Sequence, residues 1–203
     1  MRSVFSRPYF LGIVIMALVA CGNDDKLTAP IQEESWLPAA TAPESLISAL
    51  QVIYNDTQHS PNERLVAYAG LLALDFKVLI AEDRSWGRDQ ELKLHQCLFE
   101  SEGEDVFSVG LRVAYLPAED LDSPQPDRSG WKQVFATNVH LRILTTPQDG
   151  LELNGGQAVF LSAPIGDRWF LKEWVDLPRP EPRIPLASEP QSWWALKQKF
   201  CDL

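Results

Sequence analysis

Three cysteines and three histidines are the side chains of this chain best suited to attack a substrate or hold a metal. The histidines, His59, His95 and His140, lie too far apart in sequence to suggest a shared metal site. Neither Cys97 nor Cys201 sits in a motif that supplies a partner base, so a nucleophilic thiol is not indicated. Ser162-Ala163-Pro164 lacks the flanking glycines of a nucleophile elbow. Gly155-Gly156, beside Asn154, reads as a turn and not as a phosphate loop. The acidic runs Glu100-Ser101-Glu102-Gly103-Glu104-Asp105 and Glu119-Asp120-Leu121-Asp122 lack the alternating ligands of a calcium loop and read as solvated hairpin connections. No metal and no cofactor is expected on these grounds, and no catalytic residue declares itself.

The third cysteine has a different setting. Arg2 and Arg7 precede an apolar run from Tyr9 to Ala20, roughly a dozen residues, the n-region and h-region of an export signal. A spanning helix needs nearer ~20 residues, and no later run is long or apolar enough to cross a bilayer. The run ends in Leu18-Val19-Ala20-Cys21, which resembles the lipobox of bacterial lipoproteins. The resemblance implies that the Cys21 thiol takes a diacylglycerol, that the signal (1–20) is cut before it, and that acyl chains such as palmitate then anchor the protein. The alternative is a plain signal peptide in which Cys21 falls by chance. Gly22 in place of an aspartate resembles Gram-negative cargo sent on to the outer membrane, facing the periplasm or the cell surface.

The formal charge is −10, and losing Arg2 and Arg7 takes the mature chain to about −12. That balance argues against a nucleic-acid partner and against charge-driven adhesion to an anionic membrane. With Cys21 spent on lipid, Cys97 and Cys201 form an even pair in an oxidising compartment, where a disulfide would pin the C-terminal end to the body. Two separate buried thiols are the alternative.

Elements that could position a site follow in order. Residues 21–43 are polar and proline-spaced and read as a flexible tether. Leu46, Ile47, Leu50, Ile53 and Tyr54 recur at helical spacing. Ser60-Pro61 opens a second helix, with a stripe of Leu65, Tyr68, Ala69, Leu72 and Ala73. A short strand at 74–80 leads to a third helix, 88–99, whose apolar face is Leu94 and Leu98 with Leu92 and Phe99 beside them; His95 reads there as half-exposed. Strands are expected at 106–116, 131–145 (with Phe135, Val139, Leu141 and Ile143 on one face), 150–163 and 167–176. The order predicts an α+β domain at 44–177, with three helices on an antiparallel sheet. Residues 178–203 are a proline-rich segment and a docking helix carrying Trp194 and Leu196.

This order resembles the nuclear transport factor two-like superfamily, also called SnoaL-like or cystatin-like cone folds. The matching phrases are Leu46-Ile47-x-x-Leu50-x-x-Ile53-Tyr54, Tyr68-Ala69-x-Leu71-Leu72-x-x-Asp75-Phe76, Trp86-Gly87-x-x-x-Glu91-Leu92 and Trp169-Phe170-Leu171-Lys172-x-Trp174. Bacterial lipoproteins that carry this fold behind a lipobox end in a Trp-containing helix, as Ser192-Trp193-Trp194-x-Leu196-Lys197 does here. The resemblance implies a strongly bent sheet wrapped into a cone around a pocket, with Tyr54, Tyr115, His140 and Trp174 as pocket candidates. By type His95, Asp75 and Glu173 join them, although a local backbone bond is the expected role of Asp75 and a solvated face that of His140. The function implied is a lipid-anchored envelope domain that binds a small apolar ligand or an envelope protein. The alternatives are a SnoaL-like isomerase or hydrolase, and a structural envelope component.

Overall fold

The computed structural model describes residues 36–80, 84–102, 106–121, 126–177, 192–193, 196–197 and 201. Cys21 and the export signal, most of the expected tether, and the stretch 178–191 lie outside them. One body spans Ser35–Leu203. The folded part starts earlier than the sequence suggests. Trp36 stacks on His59 with ring centroids 4.2 Å apart, and Ala40 is buried, its carbonyl accepting from the Trp169 N–H at 2.8 Å. The end of the expected tether is therefore part of the body.

Helix α1 (Pro43–Asn55) opens on a proline that needs no N–H partner, and buries the Leu46, Ile47, Leu50, Ile53, Tyr54 stripe. Helix α2 (Pro61–Ala69) is closed by a capping box: Ser60 Oγ accepts the Glu63 N–H at 3.3 Å, and the Glu63 carboxylate accepts the Ser60 N–H at 2.8 Å. It stops at Ala69, so Leu72 and Ala73, expected on its stripe, belong to strand β1 (Leu72–Ile80). Strand β2 (Arg84–Gly87), to which the sequence assigns no element, pairs antiparallel with β1 and feeds α3 (Arg88–Glu100). Strands β3 (Ser108–Tyr115), β4 (Glu119–Asp120), β5 (Lys132–Leu144), β6 (Gly150–Ile165) and β7 (Arg168–Leu177) follow.

Among the described residues α1, α2 and α3 pack with one seven-stranded sheet of order β2-β1-β7-β6-β5-β3, β4 pairing with β5. The sheet is mixed and not antiparallel, because β7 returns beside β1 in the same direction after a long crossover. Two irregularities correct the sequence reading. A bulge between Ala136 and Val139 shifts the phase of β5, so Val134 and Ala136 share the buried side with Val139, Leu141 and Ile143, while Phe135 is only half-buried. Gly155-Gly156 lies inside β6 and is no hairpin turn; Gly155 has φ 81°, a conformation open chiefly to glycine. The turn that joins β6 to β7 is at Gly166, φ 65°.

The β3 edge is not left bare. Asn55 Oδ1 and Gln51 Oε1, on the last turns of α1, accept the Leu111 and Val113 N–H groups at 3.0 and 2.9 Å, and Glu102 Oε1 accepts that of Val109 at 3.1 Å. These side chains occupy donors that would otherwise template another strand. Glu102, expected in a solvated connection, also pairs with the buried Arg64, whose Nε caps the end of α1 at the Ile53 carbonyl, 3.0 Å away. Among the described residues no helix is long and apolar enough to cross a membrane.

Candidate functional site

Each helix delivers at least one polar side chain to the same buried space. Glu91, Leu94, His95 and Leu98 fall at i, i+3, i+4 and i+7 on α3, so the stripe that packs on the body carries a carboxylate and an imidazole. Tyr54 arrives from α1, Tyr68 from α2, Trp86 from β2 and Trp174 from β7. The last contributors are C-terminal: Trp193 and Lys197, helical and almost wholly enclosed.

Glu91 is the hub, with no exposed surface. Its Oε1 accepts from the Tyr68 hydroxyl at 2.8 Å and from the Lys197 ammonium at 2.6 Å; its Oε2 accepts the Trp86 indole N–H at 2.8 Å. Burial alone would raise its pKa, but the Lys197 charge, with the bonds from Lys197 and Tyr68, outweighs burial and holds the carboxyl below its ordinary value. His95 stands one turn on, its ring stacked on Tyr68 with centroids 3.6 Å apart. Its Nδ1 lies 2.9 Å from the Glu91 carbonyl, which can only accept, so Nδ1 carries the proton. Nε2 is then the acceptor, and the Tyr54 hydroxyl donates to it at 2.5 Å. Burial, and then the Lys197 charge, lower the His95 pKa to about 3, which keeps the ring neutral at physiological pH. Burial first, then the Glu91 charge, push both tyrosine hydroxyls well above their ordinary value.

The C-terminal residues close this chamber. Trp193 packs edge-on against Trp174, Tyr54 and Phe160, with centroids 4.0, 5.7 and 6.4 Å away. Lys197 Nζ stands 4.7 Å from the Trp174 ring centre and 5.6 Å from that of Trp193. Cys201 is joined to Cys97 of α3 by a disulfide, Cα atoms 6.1 Å apart. The fit is incomplete: the indole N–H group of Trp174 is buried without an acceptor, at a cost of about 1–3 kcal/mol.

Sequence expectation and structure divide here. Tyr54 and Trp174 are in the chamber. Tyr115 is half-buried at the end of β3, and His140 lies on the solvent side of β5 in contact with the exposed Glu152. His140 forms, with Arg112, Arg142 and Asn55, the wall of a separate surface groove of about 240 Å³. Asp75 is exposed and binds Lys172 of the neighbouring strand; that contact chiefly holds its carboxyl below the ordinary value. Glu173 bonds Arg128 at 2.8 Å. His95, expected as half-exposed, is fully buried, and Glu91 and Lys197 were absent from the candidates. Helical spacing was the signal that could have found them: 91, 94, 95 and 98 make one stripe, and so do 193, 196, 197 and 201. A second surface cleft, about 450 Å³, lies between Leu37–Thr41, Ala67–Leu71 and Arg168; neither cavity includes a member of the Glu91 network.

No family model matches the chain, and no curated protein does. Solved structures of similar fold include a scytalone dehydratase candidate from Novosphingobium aromaticivorans (16% identity, 65% of this chain and 78% of that one, TM-score 0.48). Others are a cystatin-like-fold protein from Caulobacter vibrioides (15%, 66% and 84%, TM-score 0.44) and a nuclear transport factor two-like protein of unknown function from Shewanella oneidensis (12%, 65% and 93%, TM-score 0.42).

Proposed function

We propose that this chain is a lipid-anchored protein of the bacterial cell envelope whose folded body is a non-catalytic domain for binding a small ligand or an envelope protein. In this reading the sheet wraps the helices as a cone whose interior is the Glu91 chamber, and the Cys21 anchor holds the domain at the outer membrane. The observation that carries it is the state of the chamber's ionisable groups. Glu91, His95, Tyr54 and Tyr68 are sealed from solvent, and the titrating atom of each is already bonded to a protein group. A general acid or base must exchange its proton with a substrate it can reach, and a histidine held neutral down to about pH 3 supplies no acid near neutrality.

The second reading, a SnoaL-like isomerase or hydrolase, is favoured by one feature: Tyr54 and His95 form a hydrogen-bonded donor–acceptor pair in an apolar setting. Growth with a radiolabelled fatty acid tests the anchor. Label on the wild type and none on Cys21→Ser is expected, and equal labelling of both would refute lipidation at Cys21.

A further inference from the structure

We propose that Lys197 is the built-in occupant of a binding site for a primary alkylammonium group, held in place by the Cys97–Cys201 bond, and that an external amine competes for the site once that bond is open. The inference rests on the binding-domain reading and supplies its ligand class.

The walls and the occupant belong to different parts of the chain. The carboxylate, the phenol and one aromatic face are contributed by the body: Glu91, Tyr68 and Trp174. The occupant comes from a segment reached through the prolines of 178–190 and fixed to α3 by a disulfide that spans 104 residues of sequence. A carboxylate 2.6 Å from the nitrogen and an indole face 4.7 Å below it is the chemistry that recognises an alkylammonium: ion pairing from one side and a ring quadrupole from the other. A free carboxylic acid or a neutral alcohol would gain neither. The occupant also leaves the Trp174 indole N–H without an acceptor, so the site holds a donor that Lys197 does not use.

The disulfide sets how hard the occupant is to displace. Closed, it removes the freedom of the segment to leave. Open, the segment is held by its own packing and by the Glu91–Lys197 pair, and as an intramolecular ligand it competes at an effective concentration on the order of millimolar. Opening is an exchange with a dithiol: its thiolate attacks one sulfur, its second thiol resolves the mixed disulfide, and two electrons pass to leave two protein thiols and the oxidised reductant.

The full-length Lys197→Ala protein, with n-butylammonium as the probe for the deleted side chain, supplies the test. At about a hundredfold excess over Kd the amine should raise Tm by about 5–10 °C. n-Butanol, and sodium chloride at equal ionic strength, should leave Tm within about 1 °C, and the Glu91→Gln/Lys197→Ala protein should not respond to the amine. If Lys197→Ala does not fold unaided, refolding yield with and without amine replaces Tm, and recovery only with amine is the supporting result. In a second arm Lys197 is kept and both cysteines are changed to serine. Butylammonium should then perturb tryptophan fluorescence at a concentration at least tenfold lower than in the oxidised wild type. Equal rescue by butanol, a response that survives Glu91→Gln, absence of rescue in both forms, or indifference to the cysteine change would overturn the proposal. Failure of the amine leaves the binding-domain reading standing, whereas substrate turnover by the latch-free protein would refute that reading alone.

Discussion

Two histidines each have a glutamate beside them, one pair in the core of this molecule and the other at its surface. His95 and Glu91 lie one turn apart on α3 with no exposed surface; His140 and Glu152 face each other across β5 and β6 in solvent. The residue types are the same and the chemistry is not. Within the chamber the carboxylate, the imidazole, both phenols and the ammonium each have a partner, because an unpaired charge there would cost several kcal/mol. On the outer row water can replace either partner, and the pair contributes little. What distinguishes a candidate site from a surface row is therefore the completeness of its partners, and substitutions at the two places should differ by an order of magnitude in effect.

The largest difference is expected for Glu91→Ala. It strands the Lys197 ammonium, Tyr68 hydroxyl and Trp86 indole in a closed space, and breaking a buried pair from one side costs about 3–5 kcal/mol. Urea denaturation should show this as a lowered midpoint with an unchanged slope. A loss below 1 kcal/mol would mean that the chamber opens to water. Next comes the latch. Cys201→Ser frees a closure of 104 residues of separation and should cost about 2–4 kcal/mol. Reduction of the wild type should reproduce the loss, and intact mass under non-reducing conditions should show Cys97 and Cys201 linked.

Acid should separate the two regions further. The folded-state pKa of His95, about 3, lies below its unfolded value, so the folded protein binds fewer protons between the two. The associated stability is complete above about pH 6.5 and is lost progressively as pH falls toward 3, at up to about 1.4 kcal/mol per unit. Glu91, also held low, adds a loss of the same sign below about pH 4.3. His95→Gln should flatten the decline of the urea midpoint between about pH 6.5 and 4.5. A decline that survives His95→Gln would assign it to other groups.

Most of the architecture could be read from the chain because local signals agreed with tertiary demand. Ser60-Pro61 with Glu63 writes a capping box, and the α1 stripe faces the core as its spacing requires. Errors arose where a non-local contact decided. The parallel pairing of β1 with β7 and the bulge in β5 are set by sheet closure and leave no mark at short range. The candidate site was half legible. Tyr54 and Trp174 stand on apolar stripes and were expected inside. Glu91 and Lys197 are not among the candidates, and His95 reads as half-exposed, because charged and polar types weigh toward solvent when read singly. Their partners lie 23, 41 and 106 residues away, a separation that no local pattern encodes.

The smallest effects give the finest resolution of the comparison. Tyr54→Phe removes one hydroxyl and leaves His95 Nε2 buried without a donor; such an orphan costs about 1–3 kcal/mol. It should also raise the affinity of Nε2 for a proton, since the lone pair is no longer shared with a hydroxyl, and so make the acid decline of stability smaller and end it at a higher pH. Glu152→Gln removes the matching partner of His140 on the outer row, where exposed pairs are worth about 0.2–1 kcal/mol and are screened by salt. The discriminating measurement is the ionic-strength dependence of the two losses in urea. The Tyr54→Phe loss should be the same at low and high salt, because no mobile ion reaches the chamber. The Glu152→Gln loss should shrink toward zero as salt rises. Salt-dependence at Tyr54 would place water and ions beside His95, and would end the distinction between a sealed chamber and a solvated row.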